Sequence, residues 1–412
     1  MRAAPTIVID DAGATGIVRG HVVDPQPGRF AVAVVINVLD TFWTKPFYSN
    51  PLSAVNAADG TWSCNIFTGG ADACFQQVLV YCVPRDLNPV PLARGEGFPP
   101  AGLESAALAE TSAVKSSPTV IRFSGYEWNL KDTGDCQWDP GLNFWSKDLV
   151  TVETNGLHLK CAEIRGQLRC AEVSTISSTN RPLGLGTFKI VLASTVGELS
   201  ALDPAYVTSG FTFSPSAPDT AYDEADIWEY SKSAVVGADK PFQNVVQPYQ
   251  DPSRRFRFLI NDTYVTTAHS VTVNRVRGAT NRYKFSFTTT DSITSRELAS
   301  WQFQENRSTS LASDLALHLN IWAYGTPTKP GEIVIKSFQW SPLPAQIEGV
   351  PAADGLHLLV TCDSPVLSWQ IQESADLKSW SRLAEVRAGE GQDASFIVST
   401  SSGPRFYRAV TP

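Results

Sequence analysis

No stretch of a dozen residues or more in this chain places apolar side chains at helical spacing. Short runs rich in Val, Ile, Thr and aromatics alternate with turns instead, and 28 Gly and 27 Pro punctuate them. Branched and aromatic side chains favour a pleated, half-buried surface, whereas Gly and Pro end such runs. The chain is therefore expected to be all-β. At 412 residues it exceeds what one hydrophobic core usually holds, so two or three domains are expected.

Boundaries follow from the punctuation. Residues 1–100 carry Val32–Leu39, Trp62–Phe67 and Val78–Val83, separated by Asp59-Gly60 and Thr68-Gly69-Gly70. This suits an N-terminal β-sandwich of immunoglobulin-like size and strand density. Trp43, near Phe42 and Phe47, suits core packing or a sugar-stacking platform. Residues 101–118, rich in Ala, Ser and Glu between Pro99-Pro100 and Pro118, read as a linker or tether. Pro342-Leu343-Pro344 closes the run Glu332–Trp340, which leaves a central domain over 119–344. A small C-terminal β-sandwich of fibronectin-III-like size covers 345–412, with a spacer role preferred over carbohydrate binding.

A net charge of −8, with acids and bases interspersed, argues against a nucleic-acid partner. The local run Arg254-Arg255-Phe256-Arg257 reads as a solvated strand edge. No apolar run reaches the ~18 residues that a membrane-spanning helix needs. Met1-Arg2-Ala3-Ala4-Pro5 does not begin a signal peptide. A mature chain whose signal has been removed would look like this, and a secreted, extracellular or periplasmic location is expected. The chain is expected to act as a monomer.

Seven Cys leave at least one unpaired. Cys161 and Cys170 flank Arg165-Gly166 and could face each other across a hairpin, while Cys64, Cys74 and Cys82 cluster in the first domain. No Cys-x-x-Cys or His-x-x-x-His spacing supports zinc. Disulfides are favoured slightly over free thiols, which suits an oxidising compartment.

The concentrated chemistry lies in Tyr222-Asp223-Glu224-Ala225-Asp226-Ile227-Trp228-Glu229-Tyr230. Carboxylates converging on one surface repel one another and resist desolvation, a cost that is useful where acid/base work needs separated pKa values. A solvated edge or a calcium site are the other readings. Calcium prefers loop oxygens from several segments, so it ranks below catalysis, and a structural calcium is left open. No other cofactor is expected.

Side chains alternate along a strand, so Glu224 and Asp226 share a face while Glu229 would point away. A β-bulge near Ile227 or Trp228 would return Glu229 to the Glu224 face, with Cα atoms roughly 13 Å apart. Two Glu side chains leaning together would leave about 5 Å, the carboxyl separation of retaining rather than inverting glycosidases. Asp226, shorter and between them, could hydrogen-bond Glu224 and bias its protonation.

Glu224-x-Asp226-x-x-Glu229 resembles the bulged catalytic signature of glycoside hydrolase family 16. The resemblance covers about residues 119–344. It includes Asn143-Phe144-Trp145-Ser146, Asn155-Gly156-Leu157-His158-Leu159, Leu183-Gly184-Leu185-Gly186-Thr187-Phe188 and His318-Leu319-Asn320-Ile321-Trp322. Family members usually carry Ile or Val at the position of Ala225. Some related bacterial sequences use an unbulged form, in which Trp228 would take the acid/base position.

The resemblance implies a concanavalin A-like, laminarinase-type β-jelly-roll, with Glu224 as nucleophile, Asp226 as its assistant and Glu229 as acid/base. It implies a polysaccharide substrate, β-1,3- or mixed-linkage β-glucan first and galactans such as agar or carrageenan next. Sugar faces stack on aromatic rings and their hydroxyls need polar partners. Trp145, Asn143, Trp228, Gln247, Asn320, Trp322 and Glu172 are the implied substrate-binding candidates, a surface salt bridge being the other role for Glu172. His158, His269 and His318 are read as satisfied core or edge histidines. A carbohydrate-binding protein that has lost turnover and a structural or adhesive surface protein are the competing functions.

Overall fold

The computed structural model describes residues 4–13, 15–38, 41–96, 99–115, 119–175, 183–213, 223–232, 239–261, 265–276, 282–307, 315–343, 346–352, 355–361, 368–387, 394–398 and 405–410. Tyr222, Pro118, Pro344 and Cys362 lie outside them. The chain divides into two compact units, one of Met1–Thr119 with Thr133–Gln137, the other of Val120–Asp132 with Trp138–Pro412.

The first unit contains a three-stranded sheet and a larger one centred on Phe30–Val38, apolar but for Asn37. Residues 101–114 are not a tether. Ala101–Ala106 form a short helix, and Ala109–Val114 add a strand antiparallel to Gln77–Pro84, because Ala109, Thr111 and Ala113 alternate inward. Cys74 forms a disulfide with Cys136, a partner 62 residues away. Cys64, Cys82, Cys161 and Cys170 are buried thiols. Cys161 and Cys170 do meet across their hairpin, but as hydrogen-bonded thiols.

In the second unit twelve strands build two antiparallel sheets. They are β1 (Gly156–Ile164), β2 (Gln167–Thr175), β3 (Gly186–Thr195), β4 (Tyr206–Phe213), β5 (Ala225–Ser231) and β6 (Phe242–Val246). The rest are β7 (Arg255–Phe258), β8 (Thr266–Arg275), β9 (Arg282–Asp291), β10 (Glu297–Asn306), β11 (Ala316–Ala323) and β12 (Gly331–Pro342). One sheet runs β2-β11-β4-β5-β6-β7. The other runs β1-β12-β3-β8-β9-β10. The chain is all-β, and this unit is a jelly-roll sandwich whose strands pass repeatedly between the sheets. Its core holds Ala171, Val173, Ile227, Trp228, Leu317, Leu319 and Ile321 from the first sheet and Phe188, Ile190, Val271 and Phe287 from the second. Among the described residues, Gln346–Ala352, Gly355–Thr361 and Ala394–Val398 pair in one three-stranded sheet, and Ser368–Ser374, Ser381–Arg387 and Phe406–Val410 in another.

Candidate active site

Core residues alternate at Leu317, Leu319, Ile321 and Ala323 of β11 and at Ala171 and Val173 of β2, so the side chains between them, with those opposite on β4, share the outer face of the first sheet. These are Ser209 and Phe211, His318 and Asn320 with Trp322, and Glu172 with Ser174. On β5 the alternation breaks where the acid spacing requires it. Asp226 pairs with Val245 and Glu229 with Gln243, so Ile227 and Trp228 together oppose Asn244 alone. This is a β-bulge. Toward β4, Trp228 faces Gly210 and Asp226 faces Phe211, which leaves Ile227 without a partner. Ile227 and Trp228 both go inward, each fully buried.

Two features hold the bulge. Asn244 Nδ2 donates to Ile227 O (2.5 Å), taking up a carbonyl that the ladder leaves. Gly210 makes room for the indole: a Cβ there would lie 2.7 Å from Trp228 Nε1 and 2.5 Å from Ile190 Cδ1. Trp228 stacks on His269 (5.4 Å, 24°), a buried imidazole bonded to Thr267 and Thr289 and held neutral by burial, its pKa down to about 3.

The bulge puts Glu224, Asp226 and Glu229 on one face, as Gln243 of β6 and Gln247 just after it show. Gln247 Nε2 donates to both Glu224 Oε1 (3.4 Å) and Asp226 Oδ2 (3.2 Å), and Gln243 Nε2 donates to Glu229 Oε1 (2.7 Å). Burial pushes Glu229 up to about 8, helped by the charge of Asp226 and opposed by Gln243 and Arg257. Burial also raises Glu224, to about 7, while hydrogen bonds from Asp226 and Gln247 pull the other way. Burial and the charge of Glu224 raise Asp226 as well. Asp226 and Glu224 share a hydrogen bond, and the Gln247 amide donates to both. The cluster offers one carboxyl poised to ionise, one assistant and one acid that stays protonated near neutrality.

A polar row crosses the sheet from Glu229. Ser209, opposite Glu229, donates through Oγ to Asn320 Oδ1 (2.7 Å), and Asn320 Nδ2 donates to Glu172 Oε2 (3.2 Å). Glu172 also meets Lys131 Nζ and His318 Nδ1, each at 3.2 Å. Burial works against its ionisation, but Lys131, His318 and Asn320 bring its pKa down to about 2. It is a buried ion pair rather than a surface salt bridge. His318 is stacked on Phe211 (4.9 Å) and shares this row's face rather than the core.

Asn320, Glu172 and Gln247 thus join the acids, and Trp322, half-buried near Tyr324, lies two residues along from Asn320. Three expectations need correction. Trp228 is in the core, because the bulge turns it inward. Trp145 is fully buried, its Nε1 donating to Trp138 O (3.0 Å) and its ring under Lys131 Nζ. Neither ring has a face open to a sugar. Asn143 is also internal, with Nδ2 bonded to Pro140 O and Ala323 O, so it ties a loop to β11. His158 bonds Glu332 and Asn155. Sequence reasoning missed Ser209 and Gln243, and it read His318 as a core or edge histidine and Arg257 as a solvated strand edge. The alternation on β4, β6, β7 and β11 could have found them once the pairing order was known. Among the described residues, no group of three or more His, Cys, Asp or Glu could hold a metal, and no helix is long and apolar enough to cross a membrane.

No family model and no curated protein matches the chain. Among solved structures, it is similar to a glycoside hydrolase family 16 endo-glucanase from Bacteroides ovatus, at 10% identity and a TM-score of 0.36 over 52% of this chain and 94% of that one. A laminarinase from Flavobacterium sp. UMI-01 gives 12% and 0.35 over 52% and 92%. A β-1,3-glucanase from Mycobacterium marinum gives 10% and 0.31 over 52% and 90%. At such scores these likenesses carry no argument, and function has to be read from the geometry of the carboxyl cluster.

Proposed function

We propose that this protein is an endo-acting, retaining glycoside hydrolase of β-linked polysaccharide. The observation that carries the reading is the bulge at Ile227–Trp228, which brings Glu224 and Glu229 to one face with Asp226 between them. Glu229, protonated near neutrality, gives its proton to the leaving glycosidic oxygen. Glu224 attacks the anomeric carbon, its negative charge sustained by Asp226 and by the Gln247 amide. Water, deprotonated by Glu229, then releases the glycosyl enzyme. Trp322 supplies the aromatic surface, and Asn320 and Glu172 supply polar contacts. β-1,3- or mixed-linkage β-glucan is the first substrate, agar- or carrageenan-type galactan the second. We further propose a secreted monomer needing no cofactor, with residues 345–412 as a spacer.

Incubation with a panel of these polysaccharides, followed by sizing of the products, tests the proposal. Early accumulation of mid-sized oligosaccharides is the expected result. No cleavage of any member of the panel would contradict it and favour a binding protein.

A further inference from the structure

One charged cluster on the flank of this site has no part in the double displacement. Asp223, next to Glu224 in sequence, is 2% exposed and paired with Arg307 Nη2. Arg307 Nη1 donates to Glu305 Oε1 (2.9 Å), and the other oxygen of Glu305 meets Arg254 Nη2. Arg254 then donates to backbone: Nε to Val246 O (2.9 Å) and Gln247 O (3.0 Å), and Nη2 to Gln247 O (2.6 Å). The chain of ion pairs starts beside Glu224, just before β5, and ends on the carbonyl of Gln247, just after β6. It is anchored through Glu305 to β10 of the opposite sheet.

Gln247 is fixed at its remaining polar groups too. Its N donates to Glu224 O (3.1 Å), and its Oε1 accepts from Tyr249 N (2.8 Å). With Oε1 taken, the amide can present only Nε2 to Glu224 and Asp226. We propose that Asp223, Arg307, Glu305 and Arg254 form a positioning device that holds the Gln247 amide against Glu224 and Asp226. It acts through Gln247 and touches no substrate. Four charges sequestered together are costly to desolvate, and a simple bolt between sheets would not need to take two of its three backbone hydrogen bonds to the carbonyl of the residue that contacts both carboxyls. The guanidinium fork matters because a single group must reach Glu305 and two carbonyls at once.

The test is Arg254→Lys, which keeps the charge and loses the fork, with Glu305→Gln as second variant. Two readouts are needed, because the kinetic one rests on the glycosidase reading and the other does not. The first is kcat against KM on the polysaccharide that wild type cleaves. The second is titration of Glu224 by carbon NMR of protein carrying carboxyl-labelled glutamate, assigned with Glu224→Gln. The titratable groups facing Glu224 are Asp226, Glu229 and Glu172, all unaltered, so a moved midpoint reports the Gln247 contact. A loosened amide donates less to the Glu224 carboxylate, so both variants should titrate at higher pH than wild type. Their kcat should fall about tenfold or more at little-changed KM, as expected of displaced reacting groups. A Glu224 midpoint unchanged in both folded variants overturns the proposal. If wild type cleaves nothing, the glycosidase reading fails, and the titration still decides whether the device positions Gln247.

Discussion

Glu172 and Glu229 stand at two positions of one polar row on the same sheet face, joined through Ser209 and Asn320, yet they hold their protons in opposite ways. Burial disfavours the charge on both. At Glu172, Lys131 and His318 within 3.2 Å outweigh that cost and pull the pKa to about 2. At Glu229 burial wins, and the neutral Gln243 amide with Arg257 only partly offsets it, so the pKa stands at about 8. One position carries a fixed negative charge suited to orienting a ligand. The other carries a proton available for transfer. The cation in contact, not the residue type or its depth, decides which.

The strongest way to break that comparison is by turnover. Glu224→Gln should lower kcat by about a thousandfold or more, since a lost nucleophile costs orders of magnitude, while leaving the thermal midpoint unchanged or slightly higher. Glu172→Gln should act mainly on KM, keeping kcat within about tenfold of wild type. Equal loss of kcat in the two variants would erase the distinction between fixed charge and chemistry.

Lys131→Met sharpens the same contrast through stability. It leaves Glu172 buried without its main cation and should cost about 3 kcal/mol in denaturant unfolding at pH 7. A loss below about 1 kcal/mol would mean that His318 and Asn320 suffice. Gly210→Ala comes next. It presses on Trp228 in the bulge, and overpacking of this kind costs about 1–3 kcal/mol. Turnover should fall with it, because Glu229 depends on that bulge for its face. Retained turnover would show that the bulge tolerates a shifted indole.

The smallest effect is in the pH dependence of stability, where the two glutamates should have opposite signs. Glu172, lowered from 4.5, contributes stability that is present above about 4.5 and lost as pH falls toward about 2. Glu229, raised from 4.5, contributes stability that is present below about 4.5 and lost as pH rises through about 8. Glu229→Gln should therefore gain on wild type between pH 4.5 and 8, by roughly 1 kcal/mol once solvent screening of this partly exposed group is discounted. A gain that shrinks over this window would reverse the assignment. The measurement is the difference in unfolding free energy at a series of pH values.

Local patterns were legible in the sequence and distant partners were not. The acid spacing required a bulge at Ile227–Trp228, and one is there, because alternation along a strand is a local property. Gln247 and Asn320 were readable only through the family resemblance, which places polar groups at both positions. Trp145 and Trp228 were misplaced because an aromatic ring suits a core and a sugar platform equally. The choice depended on the opposite sheet, on His269 for Trp228, and on the loop carbonyl of Trp138 for Trp145. Residues 101–114 looked like a tether because their composition is bland, and the strand exists only through its pairing with Gln77–Pro84. Nothing near Cys74 pointed to Cys136, and nothing near Glu172 pointed to Lys131, 41 residues away.

The central claim is that the bulge sets two glutamates on one face for a double displacement. It is tested most directly by proton NMR of the first sugars released from a β-glucan, recorded before mutarotation. The account predicts the β-anomer, from two successive inversions at the anomeric carbon. Initial release of the α-anomer would mean a single displacement by water and would contradict it.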